Sequence, residues 1–118
     1  MPPPHPNRTM LVISRKVGET LVIGGADRAL ISITLLAISE PTGPGGVRGG
    51  VRVRTVVMGE ASEHDLAMDQ PPLTMPLPLD ESASLRICSI RTERARLGVE
   101  LPREFVVHRK EFWDQMHP

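Results

Sequence analysis

His108, Arg109 and Lys110 stand consecutively where a β-rich run ends, and Arg15 and Lys16 stand together where an earlier run turns. Such side chains bind anions: a guanidinium can contact phosphate, lie on a base plane or hold an ion pair. No catalytic constellation accompanies them. The four histidines, His5, His64, His108 and His117, fall without HExxH or HxH spacing, and GxSxG, GxxxxGKS and a GxGxxG leading into a helix are all missing from the sequence. The single cysteine, Cys88, can build neither a disulfide framework nor a Cys/His zinc cluster. The expectation is a protein that is no enzyme and takes no metal or cofactor.

Composition narrows the rest. A chain of 118 residues with 40% apolar content makes one small domain whose modest core a partner chain would help to complete. Lys plus Arg equals Asp plus Glu at 14 each, so no global field draws the chain to nucleic acid or membrane, and a binding patch must be local. No apolar stretch reaches the roughly 18 residues of a membrane span, and MPPPHPNRT lacks the apolar centre of a secretory signal. A cytoplasmic protein with no membrane partner is expected.

The elements that must position the basic groups read as mostly β. Residues 1–9 hold four prolines and no periodic pattern, and read as a disordered leader or as translation begun upstream of a start at Met10. MLVISRKVGETLVIGG gives strands at 10–14 and 20–23, joined as a hairpin through a turn whose Gly18 can take positive φ. ALISITLLAIS, 29–39, is β-branched and apolar and continues as a third strand. Residues 40–84 differ: they carry six of the twelve Pro, six of the ten Gly, and three Arg against seven acidic residues. This segment reads as an acidic insert, with TGPGGVRGG and DQPPLTMPLPLD as loops, VRVRTVVMG as one extra strand, and ASEHDLAM as a helical turn. LRICSIR, ARLGVELP and FVVHR give three more strands, and KEFWDQM a terminal helix with Phe112 and Met116 on one face. Either 29–39 or 85–91 can serve as the third core strand. The run 29–57 also looks like a hairpin that recurs at 85–101, but residue identity does not support a repeat, and a looped insertion is the preferred reading.

Two blocks, MLVISRKVGETLVIG at 10–24 and RLGVELPREFVVHRKEFWDQM at 96–116, resemble the opening and closing motifs of the carbon storage regulator (CsrA/RsmA) family of RNA-binding translational regulators. The resemblance implies a core domain from 10–39 and 85–118, all-β with a short C-terminal helix. It further implies an intertwined homodimer of five-stranded chains, with the first strand of one subunit beside the last strand of its partner. It implies a site for single-stranded or hairpin-loop GGA near a ribosome-binding site, through which translation initiation or message stability is modulated. Small regulatory RNAs would be further partners. Ile13 matches a family Leu that packs near the nucleotides, Ser14 a Thr, and Arg15 and Lys16 a basic pair. Leu101 and Pro102 match an Ala-Pro turn whose backbone lies near the purines, while Arg103, Glu104, Val107 and His108 match neighbours in the site, and Arg109 is its lead residue. Alternation along a strand would gather Ile13, Arg15, Lys16, His108 and Arg109 at one sheet edge.

Other roles compete. Arg109 could be a helix-start charge or an ion-pair partner, Arg15 and Lys16 solvated turn residues, His108 a packing residue, and Phe112 and Trp113 helix anchors. Lys110 stands where the family often has an acidic residue, and the insert departs from the family altogether. An alternative reading follows from it: a protein-interaction module with weakened RNA binding that antagonises a related regulator or binds a flagellar assembly factor.

Overall fold

A computed structural model describes residues 8–25, 28–39, 49–68, 70–91 and 93–116. Nine strands and one helix follow in order: β1 (Arg8–Lys16), β2 (Thr20–Gly24), β3 (Ala29–Ser39), β4 (Gly50–Val57), β5 (Glu60–Ala67), β6 (Leu73–Pro76), β7 (Ser82–Ile90), β8 (Arg94–Pro102), β9 (Val106–Arg109) and α1 (Lys110–Met116). They form a four-stranded sheet, β1-β8-β7-β6, and a five-stranded sheet, β5-β4-β3-β2-β9. Strand alternation builds the core: Ile31, Ile33 and Leu35 of β3 and Val51, Val53 and Thr55 of β4 are buried, while Arg52 and Arg54, alternating with the last three, are exposed. Leu85, Leu97 and Val99 of the other sheet join the same apolar cluster. The all-β class with a short terminal helix is as expected, and among the described residues no helix is long and apolar enough to cross a membrane.

Several expectations are corrected. β1 and β2 do not form a hairpin; they belong to different sheets, and β1 pairs antiparallel with β8 over nine residues, from Arg8 opposite Pro102 to Lys16 opposite Arg94. The chain turns at Gly18, whose φ is +91°. Gly18 N–H donates to Leu35 O at 2.7 Å and Leu35 N–H to Glu19 O at 3.1 Å, which carries the chain across to the second sheet. Strand β1 begins at Arg8, inside the expected leader, because β8 extends far enough to pair it; residues 1–7 lie outside the described set. The last strand does not pair with the first: β9 pairs with β2, Leu21 opposite Arg109 and Gly24 opposite Val106. The first and last strands thus lie in different sheets, paired with β8 and β2 respectively.

Two local readings within residues 40–84 are corrected too. ASEHDLAM is strand, β5, not a helical turn, since its main chain completes the ladder of β4. LTMP, expected within a loop, is strand β6, a place at a sheet edge where proline is tolerated. Most of TGPGGVRGG lies outside the described residues. Residues 50–84 are thus part of both sheets. In the helix the expected apolar face of Phe112 and Met116 is exposed, and Trp113 is the buried side chain, because the helix meets β2 through the Trp113 ring over Gly24.

Both candidates for the third strand hold that position, one in each sheet, and the two sheets repeat one strand order. Exchanging each of the first four strands with the strand four later turns β1-β8-β7-β6 into β5-β4-β3-β2. The registers agree except at Gly24, which faces Ala29 after a shift that the Pro76–Ser82 pair lacks. Leu21 opposite Ile33 and Ile23 opposite Ile31 match Leu73 opposite Leu85 and Met75 opposite Ala83. A bulge falls at Leu36, between Leu35 opposite Val53 and Ala37 opposite Arg52. Another falls at Cys88, between Ile87 opposite Leu97 and Ser89 opposite Arg96. β9 and α1 have no counterpart, for β4 runs directly into β5 through Met58 and Gly59 at φ 48° and 87°, the left-handed pair of a tight hairpin turn.

Gly24→Ala tests the seating of the helix. A Cβ there would lie 2.6 Å from Trp113 Cη2 and 2.7 Å from the Arg28 carbonyl oxygen. Overpacking of this kind costs about 1–3 kcal/mol; thermal unfolding followed by the fluorescence of the single tryptophan should show a lowered Tm, whereas Gly25→Ala, with open space around its Cβ, should not.

Candidate functional site

The pairing of β1 with β8 and of β9 with β2 brings two distant segments to one cleft of about 540 Å³. Val12, Ile13 and Ser14 of β1, Arg96 of β8, Val107, His108 and Arg109 of β9, and Phe112 of α1 line it. Beside it lies a smaller polar pocket of about 250 Å³, lined in part by Ser14, Arg15, Lys16, Arg94, Arg109 and Glu111. β1 and β9 are both edge strands, so each has a row of main-chain N–H and C=O groups without a sheet neighbour.

Arg15 ties the two segments together. Its residue is only 4% exposed, and its guanidinium is fully engaged: Nε donates to Ser14 O at 3.0 Å, and Nη1 donates to Thr20 O at 3.2 Å and to Glu111 Oε1 at 2.9 Å. Nη2 donates to Glu111 Oε2 at 3.5 Å, completing a forked contact, and Glu19 Oε1 stands 3.8 Å from Nε. The hydrogen bond from Arg15 chiefly holds the Glu111 carboxyl below its ordinary range; its own backbone N–H and the charges of Arg15 and Arg109 act in the same direction. This explains why a short strand ends in His-Arg-Lys-Glu: Glu111 anchors the helix to β1, and Lys110 pairs with Asp114 at 2.7 Å on the exposed side. His108 sits with its ring centroid 6.1 Å from that of Trp113, on the other side of the same junction.

Of the residues expected in a site, Ile13, Ser14, Val107, His108 and Arg109 meet in the larger cleft, and Arg15 and Lys16 border it. Leu101, Pro102, Arg103 and Glu104 line neither pocket. Leu101 and Pro102 are buried at the opposite end of the β1–β8 ladder, facing Thr9 and Arg8, and Arg103 and Glu104 are exposed in the turn before β9. Arg15 lies on the edge strand β1 as expected of its position, with its guanidinium turned into the fold, where Ser14, Thr20 and Glu111 accept from it. Two site residues were missed: Arg96, which shares an exposed strand face with Arg94, and Phe112, half exposed at the cleft instead of packed as an anchor. The sequence signal for Arg96 is the alternation of Arg94 and Arg96 with the buried Ala95 and Leu97. Among the described residues no group of three His, Cys, Asp or Glu side chains is placed to hold a metal ion.

Comparison with known proteins finds no matching family model, no similar curated protein and no similar solved structure.

Glu111→Gln should reveal the anchor through its pH dependence. The folded carboxyl titrates below its ordinary value of 4.5, so its contribution is present above that value and lost as pH falls through the lower, folded one. The Tm of the wild type should exceed that of the variant by the same margin at pH 6 and pH 8, and the margin should shrink as pH falls below 4.5. Scanning fluorimetry at constant ionic strength checks this.

Proposed function

We propose that the chain is a post-transcriptional regulator that binds single-stranded GGA in messenger RNA leaders, at the cleft between β1 and β9, and so modulates translation initiation or message stability. The observation that supports this reading is the meeting of the two resembling blocks: Ile13 and Ser14 from one, and Val107, His108 and Arg109 from the other, border one cleft. The chemistry of the cleft suits a short unstacked strand of RNA. Arg109, Arg96 and Lys16 supply exposed cations for phosphates, and Phe112, 52% exposed, offers a ring on which one base can stack. The free edges of β1 and β9 supply donors and acceptors that can read the exposed edges of unpaired guanines. Arg15 serves as a positioning residue, holding β1 against the start of the helix.

Gel shift with a hairpin RNA carrying GGA in its loop, beside the same hairpin with CCA, tests the reading. Wild type should favour GGA, and Arg109→Ala should weaken binding by about 1–3 kcal/mol, roughly 5- to 150-fold, with a shallower salt dependence. Equal binding of both hairpins, or none at about 100 mM salt, would overturn the proposal.

A further inference from the structure

The two halves of the fold share their ladders but not their charges. On the register match, Ile13, Ser14, Arg15 and Lys16 of β1 correspond to His64, Asp65, Leu66 and Ala67 of β5, and Arg96 of β8 corresponds to Arg52 of β4. The substitutions run one way. Arg52 is paired with Glu63 at 3.0 Å and faces Asp65 across the ladder, whereas Arg96 faces Ser14 and has no ion pair among the described residues. The buried Arg15, which needs Glu111 of the helix, is replaced by buried Leu66 where there is no helix. His64 turns toward Thr55, its Nε2 lying 3.4 Å from the hydroxyl.

The strand that would complete the second place is also excluded. β2 receives β9 along its outer edge, and Trp113 covers Gly24. At the corresponding edge, β6 puts Pro76 where Gly24 stands and is preceded by Pro71 and Pro72. Proline has no N–H to give a ladder, and its ring would fill the space over which the tryptophan lies. The second edge is therefore capped against an added strand from this chain or another.

We infer that the chain is two like units joined covalently, that it holds one RNA site with Arg96 as an anion contact, and that the equivalent place on the other half, a pocket of about 390 Å³ where Arg52 is paired with Glu63 and faces Asp65, is left without the free cations that RNA would need. This rests on the RNA-binding reading above. A single chain then needs no partner subunit to assemble the site, and it carries one RNA strand instead of bridging two.

Light scattering on the full chain, free and with the GGA hairpin, together with titration calorimetry, tests the inference. A particle of 13.0 kDa, a one-to-one complex, and an RNA with two GGA loops that loads two separate chains are expected. Arg96→Ala should weaken binding by about fivefold or more, while Arg52→Ala, at the matching position, should leave it within about twofold. A dimer binding two hairpins, or equal losses in the two variants, would overturn the inference. A chain of single mass that ignores GGA would instead sink the RNA site and the functional reading together while leaving the joined-unit architecture standing.

Discussion

The antiparallel ladder between β1 and β8 is the constraint on which the remaining structure depends. It joins residues 8–16 to residues 94–102, close to the full span of the described chain, so it ties the two ends of the fold together. β1 exposes Met10, Leu11 and Val12 to solvent and sets only Ile13 against the apolar core, so its main-chain groups, which need a neighbour, chiefly hold it to β8. Once β1 lies in the first sheet, the turn at Gly18 delivers β2 to the second, and β2 has an outer edge to which β9 can bind. Cleft and fold thus arise from one exchange of terminal strands. A close approach at Gly98, where a Cβ would come within 2.8 Å of Cys88 Sγ and Met10 Cε, fits this crowded seam.

A buried cation then fixes how the two sheets face each other. A guanidinium withdrawn from water is costly unless its donors are satisfied, and Arg15 meets that condition only with Glu111 from the opposite end of the chain and the Thr20 carbonyl from the next strand. Such a pair adds little net stability against an apolar replacement, but loss of one partner leaves the other stranded. Its use is geometric. Trp113 over Gly24 and Arg15 against Glu111 seat a seven-residue helix too short to be stable by itself, and they thereby place Phe112 and Arg109 at the cleft.

The asymmetry between the halves follows from what each edge must do. An edge strand invites any other strand, and proteins either cover it or make it unfit for pairing. β2 is covered by β9, whereas β6 is short and bounded by prolines. The charges went with the strands: the covered side keeps Arg15, Lys16 and Arg96 near the cleft, and the bare side carries Glu63 and Asp65. Equal totals of acid and base in the whole sequence conceal this division.

Local pattern was legible wherever alternation and β-branching agreed with the final state, as in ALISITLLAIS, LRICSIR, ARLGVELP and FVVHR, and in the short helix that follows. It misled where they disagreed. Glu60–Ala67 has the composition of a helical turn and becomes strand because β4 presents a complete ladder; Leu73–Pro76 has the composition of a loop and becomes strand because an edge requires bonding on one side only. The repeat was hidden because side chains such as Arg15 and Leu66 share a register position without sharing a type. By itself the amino-acid sequence determined the β class, the terminal helix and the two polar segments able to meet an anion, since those depend on neighbours in the chain. Which strands pair, that Arg15 is buried while Arg96 lines the cleft, and that the two sheets repeat one strand order were decided only by tertiary structure, because hydrogen-bond ladders and the satisfaction of a buried charge depend on residues some eighty or ninety positions away.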